Sequence, residues 1–285
     1  MPYTAQISRS SPTCFVFLVD QSASMDDRMG GEDAPGGQGG QRKADVVADA
    51  LNRLLLELTI RCTKEEAVVR DYFHIAVIGY GARVGTAFAG SLAERDVAPI
   101  SVVAEQSVRI EPRTKKVPDG AGGLVETTVR FPIWVDPVAD GATPMTQALT
   151  YARHVVDRFV QQHPDCFPPV VLNLTDGMPT DGDAGPAAAA LRAVASSDGN
   201  VLLFNLHISD AGGQKVLFPD HDGALPDEYA RSLFAMSSVL PSHMRGYAMS
   251  QDIKAGEAAR GFGYNADIIA IVQFLEIGTR ASDLR

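Results

Sequence analysis

The chain is poor in cysteine. Its 285 residues hold three, at positions 14, 62 and 166, spacings that match neither a zinc site nor a disulfide framework. Cys14 lies inside an apolar run, so buried free thiols in a reducing compartment are the expectation. Long hydrophobic runs are missing too: none approaches ~18 residues, and MPYTAQISRSSP at the start has no apolar h-region. No membrane span or export signal is visible, which makes a cytoplasmic location the default. Positive charge is in deficit, with 25 Lys and Arg against 35 Asp and Glu and a net charge of −10. That balance argues against a nucleic-acid backbone or an anionic membrane as the main partner. The six histidines form no i, i+4 pair and flank no catalytic partner, and no nucleophile-elbow sequence is present. Structural roles fit them better than catalytic ones.

What remains is apolar, at 45% of residues, and ordered in alternation. Residues 13–19, 74–79 (HIAVIG), 170–175 (VVLNLT) and 201–208 (VLLFNLHI) are short β-rich runs, as expected of strands covered on both faces. Between them, residues 43–61 place Val46, Val47, Ala50, Leu51, Leu54, Leu55 and Leu58 on one helical face. Residues 144–162 repeat that pattern. An alanine-rich helix is expected at 186–195 with Asp183 as its cap, and further helices at 227–240 and 267–279. Strands alternating with helices predict an α/β fold: a doubly wound, mostly parallel sheet with helices on both faces. One domain is expected over residues 13–280, between tails at 1–12 and 281–285. It carries a glycine-rich loop at 30–41 (GGEDAPGGQGGQ) and a β-rich excursion at 84–138.

The first strand ends unusually. FVFLVD is followed by QSAS, so that Asp20, Ser22 and Ser24 stand two apart, where a plain turn would carry glycine or proline. In doubly wound sheets ligands bind beyond the carboxyl ends of the strands, where the strand order reverses. Asp176, in LNLTDGMPTDG, closes another core strand, and Thr143, in DGATPM, precedes the helix leading to it. If the two strands flank the reversal, two carboxylates and three hydroxyls share one crevice. An all-oxygen, low-charge set suits magnesium and leaves zinc without soft ligands. Each piece also has a plain reading: Thr143 before Pro144 matches a helix N-cap, and the aspartates match strand-end turns.

Together, DQSAS at 20–24, Thr143 in GATP and Asp176 in LTDG resemble the metal-ion-dependent adhesion site of von Willebrand factor A domains. The resemblance runs over residues 13–279. It implies that Ser22, Ser24 and Thr143 touch the metal directly while Asp20 and Asp176 act largely through water. It further implies Mg2+, with Mn2+ or Ca2+ as substitutes, and a partner protein whose acidic residue completes the coordination. The tail from 232 onward is similar to intracellular bacterial, tellurium-resistance-associated members, which implies work beside a protein phosphatase or kinase. No catalysis is expected; the competing reading is a magnesium-dependent hydrolase using the same aspartates.

Other signals point elsewhere. GYGARVG at 79–85 mimics a dinucleotide fingerprint, but VGTAFAG after it has no helical face, so a turn between strands is expected. RIEPRTKK at 109–116 reads as a solvated hairpin tip. Asp181 and Asp183 read as loop and cap acids. The stripe Tyr229, Leu233, Met236 and Leu240 reads as core.

Overall fold

A computed structural model describes residues 3–29, 40–63, 68–118, 123–209 and 215–280. Residues 30–39 of the glycine-rich loop, with Glu32 and Asp33, lie outside them.

In chain order the elements are β1 (Thr13–Asp20), α1 (Lys43–Cys62), β2 (Phe73–Tyr80), β3 (Val84–Thr86), β4 (Ala98–Pro99) and α2 (Ile100–Glu105). The hairpin strands β5 (Arg109–Pro118) and β6 (Leu124–Ile133) follow, then α3 (Met145–Gln162), β7 (Val170–Thr175) and α4 (Gly185–Arg192). The last part holds β8 (Ala195–Ser196), β9 (Gly199–Asn200), β10 (Leu202–Ile208), β11 (Val216–Leu217), α5 (Glu228–Met236), α6 (Ser242–Ser250), β12 (Phe262–Ala266) and α7 (Ile268–Gly278).

The main sheet runs β11-β12-β10-β7-β1-β2-β3, with β4 also on β2. From β12 to β2 all neighbours are parallel, and the antiparallel pairs fall at the margins. This is the expected doubly wound α/β sheet. Period-two alternation divides β1 between two cores: Phe15, Phe17 and Val19 face α1, α2, α6 and α7, while Cys14, Val16 and Leu18 face α3, α4 and α5. All three cysteines are buried, and none is in a disulfide.

The chain steps from β1 to β2 on one side, and later lays β7 on the other side of β1. The order therefore reverses between β1 and β7, which puts Asp20 and Asp176 on the two walls of the crevice. A buried polar chain ties the strands nearby. The Tyr80 hydroxyl donates to Asn173 Oδ1 (2.7 Å), Asn173 Nδ2 to Asn205 Oδ1 (3.0 Å), and Asn205 Nδ2 to Ser237 Oγ (3.0 Å). Satisfied polar groups in an otherwise apolar layer favour one register over its slips.

Several sequence expectations need correction. The excursion at 84–138 is not wholly β, since Ile100–Glu105 is helical with Ile100 and Val103 buried. The helix expected at 227–240 stops at Met236, and Leu240 is buried beyond it. Helix α6 and strand β12 had no sequence counterpart, because SHMRGYAMS and FGYNA each show too weak a period. The basic stretch is a strand leg tied at its base, not a tip: Arg113 pairs with Asp49 of α1 and lies over the Phe131 ring at 3.6 Å. GYGARVG is the turn from β2 to β3, with Tyr80 opposite Val84.

Candidate metal centre

Strand β1 is buried along its whole length, and Asp20 at its end is 1% exposed. The turn leaving it folds back on that carboxylate, as the Ser22 N–H donates to Asp20 Oδ1 at 2.9 Å. A 3-10 turn over Ala23–Asp26 follows, anchored by Met25, which is fully buried. The extended Ser22 and the turn above it leave the Ser22 and Ser24 hydroxyls 3.0 Å apart. From the other wall, the Thr175 hydroxyl donates to Asp20 Oδ2 (2.8 Å), and the Ser24 hydroxyl donates to Asp176 Oδ1 (2.7 Å). The two strand ends are laced together by side chains.

The loop at 140–143 supplies the third piece. Main-chain bonds from Asp140 N–H to Gln21 O (2.6 Å), Ala82 N–H to Asp140 O (2.8 Å) and Ala23 N–H to Gly141 O (3.0 Å) clamp it to the turn after β1. Gly141 has φ +87°, and a Cβ there would lie 2.3 Å from Ala82 N, so both conformation and space require glycine. Thr143 follows, nearly buried. A Cβ added at Gly177 would stand 3.7 Å from Thr143 Oγ1 and 4.0 Å from Ser24 Oγ, so these hydroxyls border the same point after β7.

The plain reading of Thr143 as a cap does not describe α3. Its N-cap position is Pro144, with no side-chain cap bond, and Asp181 accepts from Thr146 and Gln147 N–H at 3.1 and 2.9 Å instead. Asp181 is therefore the acid at the start of α3. Asp183 does not cap α4 as expected: the N-cap position is Ala184, with no side-chain cap bond, and Asp183 stands one residue before it, accepting from Gly185 N–H at 2.8 Å.

The structure thus brings together Asp20, Ser22, Ser24, Thr143 and Asp176, and adds groups that sequence reasoning missed. The largest is Lys43, the first residue of α1. Its ammonium lies 2.9 Å from Asp176 Oδ2 and 3.5 Å from Asp27 Oδ2. The Lys43 side chain is 12% exposed and that of Asp176 not at all. A signal was available: a lysine in the first turn faces the positive end of the helix dipole, which favours acids. His207, ending β10, stacks on Tyr264 at 4.8 Å and meets Tyr229 edge-on at 5.7 Å. Burial lowers the His207 pKa, the charge of Asp176 opposes this, and its buried Nδ1 finds no hydrogen-bond partner among the described residues. The Tyr229 hydroxyl donates to the Gly177 carbonyl.

The two carboxylates differ in charge balance. Asp176 has an ammonium, while the hydrogen bonds on Asp20 all come from neutral donors. Burial pushes Asp20 up to about 6, outweighing the bonds from Ser22 and Thr175, and the nearby charge of Asp176 adds to the rise. A buried carboxylate short of positive charge, beside neutral hydroxyls, is a donor set that fits a hard divalent cation. Among the described residues no three His, Cys, Asp or Glu side chains converge as a metal cage, so a cation here would depend on the hydroxyls. Ser22, Ser24 and Thr143 would hold it, with Asp20 and Asp176 balancing its charge.

No protein-family model matches the chain, and neither does any curated protein. Solved structures do. The chain is similar to the ArnB paralog VWA2 from Sulfolobus acidocaldarius, at 14% identity and a TM-score of 0.35, over 70% of this chain and 35% of that one. It is similar to proximal thread matrix protein 1 of the mussel byssus, a structure with a zinc-occupied MIDAS motif. Identity there is 13% and the TM-score 0.46, over 96% of this chain and 47% of that one. It is also similar to manganese-loaded Plasmodium vivax TRAP protein, at 13% identity and a TM-score of 0.41, over 95% and 75%. The chain spans less than half the length of the first two. All three likenesses are distant.

Proposed function

We propose that the chain is a von Willebrand factor A-type module that binds a protein partner through a divalent cation and has no catalysis of its own. The observation that carries this reading is the convergence of Asp20, Ser22, Ser24, Thr143 and Asp176 at the reversal between β1 and β7, with Asp20 buried and short of positive charge. Magnesium is the proposed ion, with manganese as substitute and calcium weaker, since five oxygens are few for calcium. A partner's carboxylate would complete the coordination. The proposed setting is the cytoplasm of a bacterium, beside a phosphatase or kinase, as in the tellurium-resistance-associated members it resembles. Among the described residues no helix is long and apolar enough to cross a membrane.

A hydrolase reading would need a nucleophile beside a general base. The oxygens here are engaged with one another, and the aspartates are held by Ser22, Thr175, Ser24 and Lys43. The test is thermal melting with and without Mg2+ or Mn2+. A ligand bound only by the folded state stabilises it by about 2.7 kcal/mol at a hundredfold excess over Kd. Asp20→Ala, Ser22→Ala and Asp176→Ala should each blunt that rise while the circular dichroism spectrum stays native. An unchanged rise in all three, or a magnesium-dependent phosphoesterase rate abolished by Asp20→Asn, overturns the reading.

A further inference from the structure

Lys43 sits where a cation is wanted. Its ammonium lies 2.9 Å from Asp176 Oδ2, and the other oxygen of that carboxylate takes the Ser24 hydroxyl at 2.7 Å. Ser24 in turn lies 3.0 Å from Ser22, so the lysine is two hydrogen bonds from the hydroxyl pair that would hold a metal. Its position is built. The Lys43 N–H donates to Asp27 O at 2.9 Å, which fixes the start of α1 on the turn after β1. Arg42 beside it pairs with Asp26 and Asp45 at 2.9 and 2.7 Å and holds the same junction. Asp27 flanks the ammonium at 3.5 Å. The side chain is 12% exposed, so its stem is packed and its charge is largely out of water.

We propose that Lys43 is a tethered competitor of the divalent cation. It neutralises Asp176 in the metal-free protein and repels the ion that would share that carboxylate. The inference rests on the metal-binding reading above. Its physics is simple. A unit charge and a dication within a few ångströms repel strongly in a partly buried site, and a tethered ammonium needs no encounter from solution. Metal binding then requires the ammonium to swing away from Asp176, with Asp27 as the nearest alternative. The consequence is a site of deliberately low metal affinity, loaded firmly only when a partner's carboxylate arrives with added negative charge.

The experiment is Mn2+ binding, by calorimetry and by electron paramagnetic resonance, in wild type, Lys43→Met, Lys43→Arg and Asp20→Ala. Methionine keeps the unbranched stem and removes the charge. Lys43→Met should bind Mn2+ about tenfold more tightly or better, Lys43→Arg should stay near wild type, and Asp20→Ala should lose binding. In chelator Lys43→Met should melt below wild type, because Asp176 loses its cation, and Mn2+ should restore it. Wild-type protein offers a check that needs no variant: the Lys43 ε-methylene resonance should move as Mg2+ saturates the site. Unchanged or weaker binding in Lys43→Met, while Asp20→Ala abolishes it, overturns the competitor and leaves the metal site standing. Tighter binding in Lys43→Arg as well, or an ε-methylene resonance indifferent to bound Mg2+, also overturns it. Absence of Mn2+ binding in both wild type and Lys43→Met defeats the metal reading itself.

Discussion

The ends of β1 and β7 lie one strand apart and present the same residue type, yet they are in opposite electrostatic states. The Asp176 side chain is fully buried and carries an ammonium at 2.9 Å. The Asp20 carboxylate is as deeply buried and takes hydrogen bonds from the neutral groups of Ser22 and Thr175. Burial alone therefore does not say what a strand-end carboxylate is for. The side chain that arrives from the next element decides it. On the Asp176 side α1 delivers Lys43. On the Asp20 side the turn delivers the neutral Ser22, and the charge is left wanting a cation.

The contrast is broken most directly by removing each acid in chelator. Asp176→Ala leaves the Lys43 ammonium mostly buried beside Asp27 alone, the situation in which breaking an ion pair costs most. Urea unfolding at pH 7.5 should show a loss of about 4 kcal/mol, reduced if Lys43 swings into solvent. Asp20→Asn should move the other way. The folded state holds the Asp20 proton up to about pH 6 against 3.8 when unfolded. The folded protein thus binds the extra proton in that window. The contribution to stability is fully present below about pH 3.8 and is lost as pH rises through about 6. At pH 8 without metal, Asp20→Asn should recover about 3 kcal/mol, and at pH 4 almost nothing. If both substitutions destabilise alike at pH 8, the two strand ends are not different in kind.

Both acids could be read from sequence, and the difference between them could not. FVFLVD and VVLNLTD end apolar runs in carboxylates, and that much is periodicity and position. The parallel sheet was legible for the same reason: four buried runs separated by amphipathic helices leave few other arrangements. Lys43 follows a glycine-rich stretch whose path no local pattern sets, so its approach to Asp176 is a property of the tertiary fold. The same holds for His207, which looked like one more scattered histidine until β10 was placed beside β7. Helix α6 and strand β12 were missed because their local period is weak and packing on the core decides them. In α3 a local rule gave a misleading answer. Thr-Pro looked like a cap, while the acid serving the helix stands at 181, brought there by the loop after β7.

That separation of capping from site yields the smallest effect, and it tests whether the hydroxyl wall belongs with the carboxylates or with the scaffold. If Thr143 were chiefly a cap, its loss would cost about 1 kcal/mol, as N-cap removal does. The α3 N–H groups are instead served by Asp181, and the position of Thr143 is held by its main chain. Its N–H donates to Thr180 Oγ1 at 3.0 Å, and its carbonyl accepts from Met145 and Thr180 N–H at 2.8 and 3.0 Å. Thr143→Ala should leave these bonds intact and cost under about 0.5 kcal/mol in chelator, the range of a substitution away from caps and cavities. The rise in melting temperature on Mn2+ should nevertheless shrink, because a hydroxyl bordering Ser24 is gone. Asp181→Ala should show the reverse: a loss of about 1 kcal/mol with the metal response kept. Two melting curves with and without Mn2+ for each variant decide it. If Thr143→Ala costs as much as Asp181→Ala and leaves the Mn2+ shift whole, Thr143 belongs to the scaffold and the cluster is reduced to the two strand ends.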